Sequence, residues 1–218
     1  MRHMIINIVG AGPEELLPSL KEFNQENSIW VGVDKGVSVL LSKGIIPTIG
    51  FGDFDSVTND EWKKIKDKVA GIKKFLPEKD ETDMELALFW GLEQGAKEIR
   101  IFGGTGGRLD HFLANIQLIL QPILQEKQTR ITIIDRNNFL FALAPGEHHI
   151  AVIPEFKYVS FVPITAAVKN LSLKGFKYPL TNCHIPLGST LCISNELNND
   201  SGTFSFDEGI LMVIRSRD

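Results

Sequence analysis

The period of the hydrophobic pattern changes once, near residue 138, and that change constrains the fold more than any motif does. Before it, short apolar runs of strand length alternate with segments whose apolar residues recur every three to four positions. Strands are expected over 4–9, 28–33, 98–102 and 130–134, with 47–51 leading into another strand end. Helices are expected over 14–24, 37–43, 61–69 and 109–125. A further helix opens at Thr82 and carries Met84, Ala87, Leu88, Gly91 and Leu92 on one face until Gly95 stops it. Gly44 stands where the C-terminal cap of the 37–43 helix belongs. In the 109–125 segment, Phe112, Leu113, Ile116, Ile119, Leu120 and Ile123 form the inward face. Strand–helix alternation of this kind implies crossover units and a mostly parallel sheet.

After residue 138 no helical period survives. Short apolar runs at 148–153, 158–163, 168–173, 190–194, 202–206 and 210–215 are separated by turns rich in Gly, Pro and Asn. The expected architecture is α/β plus all-β: a mostly parallel α/β sheet domain over 1–138, then a small antiparallel β-sandwich domain over 139–218.

Composition narrows the functional classes. The chain has 218 residues, 43% hydrophobic and 23% charged, with a formal net charge of −4. Read along the chain, no Lys/Arg run stands out as a nucleic-acid stripe, although a nucleotide can still bind locally through a metal and a few placed cations. Cys183 and Cys192 are too few for a disulfide framework and lack a metal-ligand spacing. No apolar run near the N-terminus reaches the length of a signal sequence or a membrane span. The expectation is a soluble cytoplasmic protein with reduced thiols and neither a membrane nor a nucleic-acid partner.

Open α/β sheets bind ligands beyond the carboxyl ends of their strands, so polar residues just after predicted strands are the candidates. They are Asp34, Asp53 with Asp55, Asp83 at a helix start, and the segment from Gly103 to Asp110. Asp53 and Asp55 flank one phenylalanine; on extended chain their side chains point the same way and repel unless a cation lies between them. Mg²⁺ suits such a place, since it takes one or two carboxylates plus substrate phosphates. A polar turn after a strand is the alternative. Thr82 and Glu85 fit a capping box, which explains Thr82 and Asp83 structurally, whereas Lys79 and Asp80 add charges that capping does not require. Gly103-Gly104-Thr105-Gly106-Gly107 offers backbone amides to a phosphate, with Arg108 and a helix N-terminus adding positive potential. His111 fits an orienting role better than that of a base. Gly10-Ala11-Gly12 fails as a dinucleotide fingerprint because Glu15 replaces the third glycine, and no Walker sequence is present.

In this order, "VDKG" (33–36), "GDFDSV" (52–57), "EKDETDMELAL" (78–88) and "GGTGGRLDHFLANI" (103–116) resemble the bacterial thiamine pyrophosphokinases. "LSLKGFKYPL" (171–180), "SNE" (194–196) and "GTFSFDEGILMVIRSRD" (202–218) are similar to that family's thiamine-binding domain. The resemblance implies transfer of the pyrophosphoryl group of ATP to thiamine, giving thiamine diphosphate and AMP, in a homodimer with sites shared between subunits. It implies that Asp53, Asp55 and Asp83 hold Mg²⁺ and that Lys79, Thr82, Arg108 and the 103–107 loop cradle ATP, near Asp34. Asp110 and His111 would orient Arg108 or the attacking hydroxyl, and Ser194 and Asn195 would contact thiamine. Two alternatives stay open: a phosphatase of the haloacid-dehalogenase type with Asp53 as nucleophile, and a non-catalytic thiamine or nucleotide sensor.

Overall fold

The computed structural model describes residues 4–55, 57–74 and 80–218. The chain separates into two compact units, Met1–Arg136 and Asn137–Asp218.

In the first unit, β1 (Ile5–Val9), β2 (Ser28–Val33), β3 (Ile49–Gly52), β4 (Gly71–Lys74), β5 (Glu98–Phe102) and β6 (Arg130–Ile134) lie side by side in the order β6-β5-β1-β2-β3-β4. Every neighbouring pair is parallel. β1 is buried along its whole length, as expected of a central parallel strand covered on both faces. The helices are α1 (Lys35–Ser42), α2 (Asn59–Lys68), α3 (Asp83–Glu93), α4 (Leu109–Leu118) and the short α5 (Gln121–Leu124). Met84, Ala87, Leu88, Gly91 and Leu92 of α3 are all buried, the face that the sequence pattern marks. α3 lies close on the sheet: a side chain at Gly91 would press on Ile99 and Ile6. At the end of α1, the amides of Gly44 and Ile45 bond to the carbonyls of Leu41 and Leu40, so Gly44 caps the helix.

Three expectations in this unit change. Residues 14–24 form two separate 3-10 turns, Glu14–Leu16 and Leu20–Phe23, because Pro18 holds Leu17 in extended conformation. The 109–125 helix stops at Leu118 and restarts as α5 with Pro122 in its first turn. Leu113 is 60% exposed rather than inward, and the buried position belongs to Asn115. β4, which the sequence reading left out, adds an edge strand beside β3.

The second unit is entirely β-structure apart from turns. β7 (Asn138–Leu143), β9 (Tyr158–Pro163), β12 (Asn195–Glu196) and β14 (Leu211–Ser216) stand in the order β12-β9-β14-β7. β8 (Gly146–Ala151), β10 (Ala167–Lys174), β11 (Leu180–Pro186) and β13 (Ser201–Phe206) form a second layer in the order β11-β10-β13-β8. All pairings are antiparallel. Alternate residues of β13 (Gly202, Phe204, Phe206) turn inward to meet Phe141, Phe161 and Val213 of the other layer. Residues 190–194 are a turn, not a strand. Its backbone is tied to β9, where Phe161 donates to the Cys192 carbonyl at 3.0 Å and Ser194 donates to Ser160 Oγ at 2.9 Å. Burial of Cys192 inside this turn pushes its thiol up to about 11, so it stays protonated.

The full capping box forms at α2 rather than α3. Thr58 Oγ1 accepts from the Glu61 N–H, and the Glu61 carboxylate accepts from the Thr58 N–H at 2.8 Å. These bonds hold the Glu61 carboxyl below its ordinary range. A lowered folded value means stabilisation that is present above the ordinary carboxylate range and is lost as pH falls below it. Thr58→Ala is therefore expected to cost about 1 kcal/mol in urea unfolding at neutral pH, and the loss should shrink on acidification. A loss of unchanged size at low pH would mean that the carboxylate half of the box contributes nothing.

Candidate active site

In the first unit, β2, β3 and β4 follow β1 outward on one side, while β5 and β6 lie on the other. The gap between β1 and β5 is thus the topological switch point, where open α/β sheets receive ligands. Two glycine segments meet there. The Gly12 N–H donates to the Gly103 carbonyl at 3.0 Å, and the Gly10 N–H to the Phe102 carbonyl at 2.8 Å. A side chain on Gly12 would meet the Gly103 carbonyl at 2.6 Å, and one on Gly103 would meet the Gly10 carbonyl at 2.8 Å. Gly103 also has φ of 64°, where other L residues are strained. Gly10-Ala11-Gly12 therefore serves close packing of two loops.

The 103–107 loop is braced from behind. Asn115 Nδ2 donates to the Gly104 carbonyl at 2.9 Å, and Thr105 Oγ1 donates to Asp135 Oδ2 at 2.7 Å. Both supporting residues are buried. The Thr105 hydroxyl is committed to this brace. Gly107, at its end, has open space around it. Sequence reasoning missed Asn115 and Asp135; a polar residue within the apolar periodicity of 109–125 was the available signal for Asn115.

Arg108 precedes α4 and is exposed. Its guanidinium grips Asp110 at two points, Nη2 to Oδ2 at 2.6 Å and Nε to Oδ1 at 3.1 Å. The His111 N–H also donates to Asp110 Oδ1 at 2.9 Å. The Arg108 bonds first, and the His111 amide second, draw the Asp110 carboxyl down to about 2. Arg108, Asp110 and His111 are thus brought together, with Asp110 fixing the direction of the guanidinium.

Asp34 follows β2 with φ of 49°. Its N–H donates to the Phe51 carbonyl at 2.8 Å, and its carboxylate lies against Gly52, where a side chain would collide with Oδ1. Gly52 lets the ends of β2 and β3 approach. Asp53 and Asp55 do not stand on extended chain. Phe54 between them has φ of 59°, and Asp53 Oδ1 accepts the Asp55 N–H at 3.1 Å. The Phe54 ring is buried against Trp62, with centroids 5.0 Å apart. The turn reading holds locally: Asp53 closes the turn with Oδ1, while Asp55 is exposed.

α3 begins after β4 has ended at the carboxyl edge and must run back to start β5, so Thr82 and Asp83 stand at the same edge. Thr82 Oγ1 accepts from the Glu85 N–H at 3.1 Å. Lys79 lies outside the described residues. Among the described residues, no three His, Cys, Asp or Glu side chains converge into a complete metal cage, so Asp53, Asp55 and Asp83 do not form a closed triad. Hard carboxylate oxygens in ones and twos nevertheless fit Mg²⁺, which draws its other ligands from water and phosphate.

In the second unit, Ser194 is exposed with φ of 57°. Asn195 is 2% exposed; its Oδ1 accepts from the amides of Tyr178 (3.0 Å) and Glu196 (2.9 Å), and its Nδ2 donates to the Tyr178 carbonyl at 2.9 Å. The Asn195 amide fixes the segment that presents Ser194.

A parallel α/β unit with its polar residues gathered at the carboxyl edge, followed by an antiparallel β-sandwich, defines the structural class. Within that class the comparisons are specific. "Thiamin pyrophosphokinase, catalytic domain" matches residues 20–133, and "Thiamin pyrophosphokinase, vitamin B1 binding domain" matches 147–211. The thiamine pyrophosphokinase of Bacillus subtilis (strain 168) is 49% identical over 213 residues, 98% of this chain and 99% of that protein. The crystal structure of thiamine pyrophosphokinase from Bacillus subtilis superposes with a TM-score of 0.92 at 48% identity, covering 98% and 99% of the two chains. That from Geobacillus thermodenitrificans gives 0.88 at 50% identity, covering 99% and 98%. The chain belongs to the thiamine pyrophosphokinase family.

Removing the Arg108 grip tests the electrostatics. In Arg108→Gln the Asp110 carboxyl should rise from about 2 toward the ordinary value near 4, followed by carboxyl NMR titration. In the unsubstituted chain the depressed value keeps the pair intact from neutral pH down to the acid end, and the pair is lost only as pH falls through about 2. An Asp110 titration that stays put in the variant would assign the shift to the His111 amide.

Proposed function

We propose that the chain transfers the pyrophosphoryl group of ATP to the hydroxyethyl arm of thiamine, releasing AMP. The observation that carries the reading is the gathering, at one edge of the sheet, of a braced glycine loop followed by Arg108 and of the aspartates after β2 and β3. Family membership supplies the acceptor.

The thiamine hydroxyl oxygen forms a bond to the β-phosphorus, the bond from that phosphorus to the α–β bridging oxygen breaks, AMP keeps that oxygen, and the hydroxyl proton leaves to solvent. Charge shifts among phosphate oxygens throughout, so positioning and electrostatics dominate over proton chemistry. Backbone amides of Gly103, Gly104, Gly106 and Gly107 bind phosphate oxygens, with Thr105 anchoring the loop through Asp135. Arg108, aimed by Asp110, meets charge that grows in the transition state. His111 contributes its amide to that aim. Asp34, Thr82 and Lys79 complete the nucleotide side. Mg²⁺ would be held by Asp53, Asp55 and Asp83, and it supplies neutralisation of phosphate charge. Ser194 and Asn195 face the thiamine, on a turn that the Asn195 amide also fixes. Cytoplasmic location and a homodimeric working state belong to the same reading. The phosphatase alternative has no support: the family is a different one, and Asp53 Oδ1 is already engaged with the Asp55 amide. The sensor alternative has none either.

Incubation with ATP, Mg²⁺ and thiamine should yield equimolar AMP and thiamine diphosphate by mass spectrometry, with none after chelation of the metal. Asp55→Asn should lower kcat by about 10²–10³ while leaving the unfolding midpoint in place; a variant that loses stability and activity together would return Asp55 to a turn role. Light scattering should give twice the chain mass at micromolar concentration. A fully active monomer would remove the dimer from the reading.

A further inference from the structure

The proposed site is acidic, and its substrate is a polyanion. Asp34, Asp53, Asp55, Asp83 and Asp110 share the carboxyl edge with Asp80 and Glu81, on a chain whose net charge is −4. Something must offset the repulsion that an incoming triphosphate meets before it is bound. The fold supplies a candidate in α2 and β4. Between Trp62 and Lys74 there are six lysines, Lys63, Lys64, Lys66, Lys68, Lys73 and Lys74, against one carboxylate, Asp67. All six are exposed. The ion pairs among the described residues use other lysines: Lys43, Lys157, Lys169 and Lys177.

Three of the six are positioned relative to the aspartate turn. β4 pairs with β3 so that Lys73 stands opposite Phe51 and Lys74 opposite Gly52, the residue immediately before Asp53. Successive strand residues face opposite sides of the sheet. Lys73 Nζ accordingly lies 5.6 Å from the Phe51 ring centre, and Lys74 Nζ lies 5.5 Å from that of Trp62. Lys66 Nζ sits 4.9 Å from the same Trp62 ring. That ring packs on Phe54, the residue between Asp53 and Asp55. Lys66 and Lys74 are thus pinned through Trp62 to the turn that carries the carboxylates, and Lys73 to the adjoining β3 on the other face of the sheet.

We propose that Lys66, Lys73 and Lys74 form an electrostatic collar that captures the polyphosphate of the incoming nucleotide and steers it to the carboxyl edge. The proposal rests on the nucleotide-binding part of the functional reading above. The collar acts on association: fixed positive charge beside a cleft raises the local concentration of an anion and loses its effect as salt screens it. Edge-strand lysines also discourage strand-to-strand aggregation, but that role does not call for Lys66 on a helix, nor for any salt dependence in nucleotide capture.

The test is stopped-flow binding of a fluorescent ATP analogue with Mg²⁺ across a salt series. It compares the full chain with the triple variant Lys66→Gln/Lys73→Gln/Lys74→Gln and with the corresponding triple arginine variant. At low salt the glutamine variant should associate about tenfold more slowly. Its salt dependence should be shallower, and the curves should merge where screening is complete. The arginine variant should follow the unsubstituted chain. Parallel salt curves for the glutamine variant and the unsubstituted chain overturn the proposal, and an arginine variant as slow as the glutamine variant assigns the lysines to packing and overturns it too. Product formation is measured separately. A chain that binds the analogue with the expected salt behaviour but makes no thiamine diphosphate sinks the pyrophosphokinase reading and leaves the collar standing. A chain that turns over ATP and thiamine with indifferent lysines does the reverse.

Discussion

The hydrogen bond from the Gly12 amide to the Gly103 carbonyl holds together the two loops on which the first unit's site depends. β1 and β5 are neighbours in register, Val9 beside Phe102, so the chain segments leaving them emerge side by side. Side chains of any size there would push the loops apart, and the 103–107 segment would lose the support that orients its amides. The brace continues behind it through Asn115 and Asp135. A backbone offered to an anion must be held by contacts that do not consume it, and here side chains from α4 and from just after β6 do the holding. The energy of each bond is modest, about 1 kcal/mol net; their value lies in removing loop freedom before a ligand arrives.

The aspartate pair shows how one short sequence meets structural and chemical demands together. A turn after β3 needs an acceptor for the Asp55 amide, and Asp53 provides it with one oxygen. It also needs a buried anchor, and Phe54 provides that despite a backbone conformation unfavourable for a phenylalanine. The strain, of order 1 kcal/mol or more for a non-glycine residue in the left-handed region, is offset by packing against Trp62 and Val37. Like charges are thereby held in place by apolar contacts.

Much of this arrangement was legible in the sequence, and the failures have definite causes. The change of period near residue 138 follows from a plain physical difference: α3 buries every third or fourth residue, β13 every second. Strand ends carrying Asp34, Asp53 and Arg108 could be marked because a parallel sheet puts all its carboxyl ends on one edge. Residues 14–24 were misread because apolar spacing says nothing about the extended conformation that Pro18 imposes on Leu17. β4 was missed because an exposed edge strand of four residues, two of them lysines, has no apolar face to announce it. The 190–194 turn looked like a strand because Cys192 is buried by tucking inward, not by alternation. The roles of Gly12, Gly52 and Asp135 depend on contacts between strands and loops distant in sequence, and one chain read alone does not contain them.

The same distinction applies to the "SNE" segment of the second unit. As a motif it invites the assignment of a ligand to each residue. In the fold, β12 is only two residues long, too short to be held by ladder bonds alone. Asn195 replaces the missing ladder with three side-chain bonds, two to the Tyr178 backbone and one to Glu196. Glu196 answers Lys177 at 2.9 Å, and the Ser194 amide is held by Ser160. Exposed pairs such as Lys177–Glu196 contribute little stability. A buried amide that closes its own backbone is spent on shape. What remains outward is the Ser194 side chain.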